Sequence, residues 1–209
     1  MRKKLGLVLL LIGILIITYQ PIMNHVISPY FLKRAQANML QLSNEQLREN
    51  QTISFDDAFR FEDIDQVSVL DPFFTVDTSR VLGEISIPSV HIHLPILYGT
   101  TNETLKVGAG TMKPEQKMGA GNYALASHNS RNQALLFAPL RKMEEGDTIY
   151  IRDDRYTYEY EMISKEIVDP TRVDVIEDRG DTPIITLVSC YSEDGSDRII
   201  ITGELVNKK

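Results

Sequence analysis

Polar and apolar positions divide this chain into three stretches of different character. The first is an almost unbroken apolar run from Leu5 to Thr18, preceded by Arg2, Lys3 and Lys4 and extended by Tyr19 and Ile22 past the Gln20-Pro21 step. At about 1.5 Å of helical rise per residue, ~18 residues nearly cross a ~30 Å hydrocarbon layer. A cleaved signal peptide would show small residues at an A-x-A-like site soon after the run. Gln20, Pro21, Ile22, Met23, Asn24 and His25 supply no such site. The pattern therefore predicts an uncleaved transmembrane signal anchor over residues 1–24. The positive-inside rule keeps residues 1–4 in the cytoplasm and places the remainder outside, as in a single-pass protein of the cell membrane.

The second stretch, residues 25–80, is mixed. Phe31, Leu32, Ala35, Met39, Leu40 and Leu42 are apolar among polar neighbours, which predicts helix between residues 30 and 50. Ser43-Asn44-Glu45-Gln46 fits a capping box and predicts a second helix starting there. These helices read as a stalk lifting a domain off the membrane, or as helices packed on that domain. Residues 51–80 carry Asp56, Asp57, Glu62, Asp63 and Asp65 and read as a linker or wrapping segment, with a short helix near Asp56–Arg60. Asp71-Pro72-Phe73-Phe74 is a turn followed by two aromatics, which either cover a cleft or pack on the domain.

From Val81 the pattern turns to β. Val81–Pro88, His91–Tyr98, Tyr123–Ser127, Asp147–Arg152, Thr157–Val168, Ile184–Cys190 and Arg198–Leu205 are rich in Val, Ile, Thr and Tyr and are broken by Gly, Pro, Asp or Asn. Short helices are expected at Asn102–Lys106 and Gln133–Leu140, where period 2 is lost. Many short strands in residues 81–209 predict an all-β domain, a closed barrel or a sandwich.

Composition narrows the function. A net charge of −7 argues against a nucleic-acid surface, which requires a basic face. Cys190 is the one cysteine, and it ends an apolar strand candidate. Outside the cell a lone cysteine forms no disulfide within its own chain; it is either a buried small hydrophobe or a reactive thiol. His91 and His93 stand at i and i+2 on one strand face, but no Cys or acidic partner sits at ligand spacing, so no metal site is expected. His128 closes the apolar run Tyr123–Ser127 just as Cys190 closes its own. If the two strands lie side by side and run the same way, thiol and imidazole meet at one rim, where a neighbouring cation favours the thiolate. Arg198, eight residues past Cys190, can supply fixed charge to an oxyanion.

Thr186-Leu187-Val188-Ser189-Cys190 resembles the TLxTC signature of sortases, the cysteine transpeptidases of Gram-positive cell surfaces. Arg198-Ile199-Ile200-Ile201 resembles the head of that family's last strand with its arginine, and Ala126-Ser127-His128-Asn129 the strand end with its histidine. Ile85-Ser86-Ile87-Pro88 and Leu94-Pro95-Ile96 resemble its first two strands. The resemblance spans roughly Val81 to Val206 and implies a closed eight-stranded β-barrel with short helices. It implies Cys190 as nucleophile on the Thr–Gly carbonyl of an LPxTG-type sorting signal, His128 as acid and base, and Arg198 as substrate and oxyanion ligand. The implied partners are LPxTG-bearing surface proteins and a cell-wall amine such as that of lipid II. Ser189 departs from the signature's Thr. The Thr111–Lys117 segment has one acid and two lysines where some class A sortases bind calcium, so no calcium is expected. Asp71-Pro72-Phe73 is similar to the lid of class C, pilin-polymerising sortases, but no C-terminal membrane helix follows Asn207-Lys208-Lys209; a class A, housekeeping-type enzyme is favoured. A class C-like pilin polymerase and a non-catalytic, anchored peptide-binding domain on the same barrel are the alternatives. Alternation puts Ala124 and Ala126 on the face of His128, and Thr186 and Val188 on that of Cys190, either as the floor of a peptide groove or as barrel core. Residues 169–183 would wall that groove.

Overall fold

Every second residue from Val81 to Ile87 is buried, and the same alternation marks Thr148–Arg152, whereas Asn122–Ala126 and Ile184–Cys190 are buried almost throughout. The computed structural model describes residues 2–53, 55, 58, 59, 77–130, 132–192 and 194–209, with the side chains of residues 2, 3, 5, 8, 20 and 24 left out. Eight strands form the barrel: β1 (Val81–Ile87), β2 (Ile92–Leu97), β3 (Ala109–Thr111), β4 (Asn122–Ala126), β5 (Thr148–Arg152), β6 (Thr157–Val168), β7 (Ile184–Cys190) and β8 (Arg198–Lys208). Their order around the barrel is β1-β2-β3-β4-β7-β8-β6-β5, closed by β5 on β1. Two pairings are parallel, β2 with β3 and β4 with β7. Parallel neighbours need a crossover, and a short helix, α4 (Asn102–Val107), supplies the first one. The interior is filled by Ile85, Ile87, Ile96, Tyr123, Leu125, Ile149, Tyr160, Leu187 and Ile201, all buried.

Four sequence expectations change here. β3 was not expected; it has three residues and exists because β2 and β4 flank it. The helix expected over Gln133–Leu140 is a 3-10 turn at Ala138–Lys142, because Leu136 takes a left-handed φ of 52° and Pro139 follows. His91 does not share a strand face with His93. It lies outside β2, in a left-handed turn at φ 57°, while His93 pairs with Glu84 at 3.0 Å. Among the described residues no group of three or more His, Cys, Asp or Glu is arranged to hold a metal ion.

The fourth change concerns the stalk. Upstream of the barrel run α1 (Arg2–Ile22), a π-helical stretch (Met23–Ile27), α2 (Ser28–Met39) and α3 (Asn44–Asn50). The capping box at Ser43 and Gln46 is present as expected. Yet α2 and α3 do not stand clear of the barrel. Leu32, Met39 and Leu47 are buried in the barrel's own core cluster. Gln36 Nε2 donates to the Val107 carbonyl at 2.9 Å. Asn50 Nδ2 donates to Thr78 and Val81 carbonyls, each at 2.8 Å, and Arg48 and Gln51 reach the buried Asp154 at 3.1 and 3.0 Å. The apolar stripe of α2 is thus satisfied by protein. Farther on, Thr100 N donates to the Ala58 carbonyl at 2.7 Å, and a Cβ at Gly99, whose φ is +87°, would run into that same carbonyl. Most of the expected helix at Asp56–Arg60, and all of Asp71-Pro72-Phe73-Phe74, lie outside the described residues. Among the described residues no helix is long and apolar enough to cross a membrane.

Candidate active site

β7 and β8 form an antiparallel pair in which Cys190 stands directly opposite Arg198. On its other side β7 runs parallel to β4, with Ala126 opposite Val188. Past the last pair, Ser127 N donates to the Val188 carbonyl at 3.2 Å, and a register continued by two residues from Ala126 would set His128 beside Cys190. Adjacent strands lie about 4.8 Å apart, and Cys190 and Arg198 share the parity of the barrel's outer face. Cys190 and Arg198 are thus paired directly, and His128 follows two residues after the last paired residue of β4.

Two serines tie the strand ends together. Ser189 Oγ donates to the Ser127 carbonyl at 2.9 Å, and Ser127 Oγ donates to the Gly108 carbonyl at 2.7 Å. Both serines are buried. These bonds run from the thiol strand through the imidazole strand to the end of α4. Ser189 keeps the hydroxyl of the threonine it replaces, and that hydroxyl bonds the backbone.

His128 is 4% exposed. Its carbonyl accepts from Phe137 N at 3.2 Å, and its Nε2 is buried with no hydrogen-bond partner among the described residues. Burial pushes the imidazole down to about 4, and the Lys106 ammonium adds to the drop. At neutral pH the ring is uncharged, so it is available as a base. Cys190 is half-buried and its thiol is free. Arg198 Nη1 donates to the carbonyls of Gly195 and Asp197, each at 2.8 Å. Among the described residues it makes no ion pair with a carboxylate. Asp197 fixes the loop between β7 and β8 through Ser192 N and Oγ, both at 2.7 Å.

The outer face beside these residues carries a small apolar cluster. Val188 and Ile200 are buried there with Val175, and Met112, Ala126, Val168 and Ile176 pack against them. The four positions read from alternation differ in exposure on that face. Ala124 and Thr186 are 0% and 1% exposed. Thr186 lies under the 3-10 turn Val173–Ile176, its Oγ1 3.4 Å from the Val175 carbonyl. Ala126 and Val188 remain at the rim, with Ile200 added. The 169–183 segment, expected from the sequence to wall a groove, is pinned to the barrel. Asn122 Nδ2 donates to Val175 and Glu177 carbonyls, each at 3.0 Å. Lys113 Nζ bonds Asp178 at 2.7 Å, and Asn122 N donates to the same carboxylate at 2.9 Å.

Several contributors had no readable sequence signal. Lys106 acts from the last turn of α4, and Phe137 acts through its backbone. Only Ser189, as a hydroxyl inside an apolar run, was marked by its position.

Comparison with known proteins agrees with this geometry. Residues 85–206 match the sortase domain. Sortase A of Bacillus anthracis is 36% identical over 181 residues, covering 86% of this chain and 85% of that protein. Sortase A of Listeria monocytogenes is 32% identical over 214 residues, covering 98% of this chain and 91% of that one. The crystal structure of Listeria monocytogenes sortase A superposes with a TM-score of 0.61 at 37% identity, over 62% of this chain and 90% of that one. A closed eight-stranded barrel, a domain match over residues 85–206, and relatives of this kind across most of its length leave one conclusion: the chain belongs to the sortase family of cysteine transpeptidases, alongside its class A members.

Proposed function

We propose that this enzyme is a membrane-anchored transpeptidase that cleaves an LPxTG-type sorting signal between Thr and Gly and joins the protein to a cell-wall amine such as that of lipid II. The observation that carries the reading is the register that sets Cys190 opposite Arg198 and, continued past Ala126, beside His128. The steps follow from protonation states. As the Cys190 sulfur attacks the Thr carbonyl carbon, its proton passes to neutral His128. The carbonyl π electrons move to oxygen, and Arg198, turned from its loop carbonyls, stabilises that oxyanion. Collapse of the adduct breaks the C–N bond, and the imidazolium gives its proton to the departing amine. A thioester on Cys190 remains. The acceptor amine attacks it, His128 takes the surplus proton, and the sulfur leaves as thiolate and is reprotonated by the imidazolium.

The apolar outer face fits the Leu-Pro part of the signal, with Ala126, Val188 and Ile200 as floor and Val175 and Ile176 as wall. Calcium is not required in this reading. The support is Lys113, whose ammonium already bridges the β3–β4 loop to Asp178 of the wall, where a divalent cation would otherwise do so. The anchor reading rests on the sequence, the apolar run from Leu5 to Thr18 behind Arg2, Lys3 and Lys4, with Leu9, Leu10, Leu11, Ile16 and Ile17 exposed. It places the barrel outside the cell, beside membrane-borne donor and acceptor.

The test is turnover of an LPxTG peptide with triglycine as acceptor. Wild type should release the Gly-containing fragment and form the new amide. Cys190→Ala and His128→Ala should each lose at least about a thousandfold, and Arg198→Ala nearly as much. Undiminished cleavage by Cys190→Ala would sink the reading.

A further inference from the structure

We infer that Asn129 and Arg141 are positioning residues that clamp the peptide unit after Cys190 and so set the distance between thiol and imidazole; the inference rests on the catalytic reading above. Asn129 directly follows His128, and Tyr191 directly follows Cys190. Asn129 Nδ2 donates to the Tyr191 carbonyl at 3.2 Å, and Arg141 Nη2 donates to the same oxygen at 3.1 Å. The Arg141 guanidinium also lies 5.2 Å from the centre of the Tyr191 ring.

The strand ladder does little to restrain that peptide unit. β7 ends at Cys190, and past it Tyr191 N reaches the Asp197 carbonyl only at 3.5 Å. The clamp's other end is firmly held. Residues 128–141 fold back on themselves: Phe137 N bonds the His128 carbonyl at 3.2 Å, and Asn129 bridges Leu136. The 3-10 turn that carries Arg141 follows at once, with Phe137 and Leu140 buried. Lys165 Nζ donates to the Arg141 and Met143 carbonyls at 3.3 and 2.6 Å, fastening the turn to β6. The loop that bears the imidazole therefore grips, from both its ends, the carbonyl next to the thiol. Neither side chain is placed on the reacting atoms. Their effect on rate comes through geometry, where a displacement of about 1 Å costs on the order of a hundredfold.

The test uses the full-length chain in detergent, an LPxTG peptide, triglycine, and iodoacetamide as a probe of Cys190 across pH. Arg141→Met and Asn129→Ala should each lower kcat about tenfold with KM within about twofold, because each leaves one donor on the carbonyl. The double variant leaves none and should lose more than the product of the singles, a coupling that independent sites do not show. Arg141→Lys keeps a donor and should recover to within about threefold of wild type, and the pH profile of Cys190 alkylation should move in the same order. The proposal is overturned if both single variants keep kcat within about twofold, if the losses fall on KM alone, or if Arg141→Lys is as impaired as Arg141→Met with an unmoved alkylation profile. Should the double variant not fold, the singles and Arg141→Lys decide. Turnover surviving in Cys190→Ala would overturn the catalytic reading itself; an inactive Cys190→Ala with unimpaired clamp variants overturns the clamp alone.

Discussion

Replacing His128 by Gln removes a group that burial holds uncharged, and the consequence for stability can be worked out. In the fold the imidazole sits at about 4; in an unfolded chain it titrates near 6.5. The folded pKa is the depressed one, so between pH 6.5 and 4 the unfolded chain binds the proton and the native state does not. Stability associated with the neutral ring is complete above about pH 6.5 and falls as pH drops toward 4. A drop from about 6.5 to about 4, at 1.36 kcal/mol per pH unit, gives roughly 3 kcal/mol as the size of that loss. The amide of the His128→Gln variant is uncharged throughout and of similar volume. Urea unfolding of residues 25–209 at pH 7.5 and pH 4 should show the variant gaining about 3 kcal/mol on wild type between the two. Glu84, which burial pushes up but hydrogen bonds from Arg152 and His93 hold below the usual range, is common to both proteins and cancels. A difference that stays constant with pH to within about 0.5 kcal/mol, or an imidazole NMR titration near 6.5, would refute the burial argument.

Other contacts can be tested in the same way. Ser189→Ala deletes the buried bond to the Ser127 carbonyl and should cost roughly 1–2 kcal/mol in urea unfolding together with a fall in turnover, whereas Ser189→Thr should be tolerated. Leu32→Ala empties a buried site on α2 and should cost about 2–4 kcal/mol; a free-standing stalk would lose almost nothing, so an unchanged urea midpoint would show that α2 does not dock. A chelator should leave the transpeptidation rate of wild type unchanged, since Lys113 bridges Asp178 directly; a drop of more than about twofold would return calcium to the mechanism.

What could be read from the sequence follows from how local each signal is. The long strand Thr157–Val168 is observed at the expected limits because alternation and β-branched residues act within it. The capping box at Ser43 is equally local. β3 is the opposite case: Ala109-Gly110-Thr111 carries no pattern of its own, and only its two neighbours make it a strand. The stripe of Leu32, Ala35 and Met39 reads the same whether a helix docks or stands alone, since the surface it meets lies elsewhere in the chain. Exposure shows both sides of this. Alternation separates outward from inward positions, but whether Ala124 and Thr186 are accessible depends on a turn at residues 173–176 that alternation does not describe. Tyr123–Ser127 and Ile184–Cys190 were visible as strands; their parallel pairing was not.

The parallel pairing of β4 with β7 also has a kinetic meaning. The residues it joins are 62 positions apart, as for Asn129 and Tyr191, and contacts of such separation form late because the intervening chain must first be ordered. Cys190 and Arg198 both belong to the last two strands, and β8 also joins β7 to β6. A chain that has folded only as far as β6 holds an imidazole without its thiol. With the proposed roles of His128 and Cys190, catalytic competence would then arrive only with the last strands.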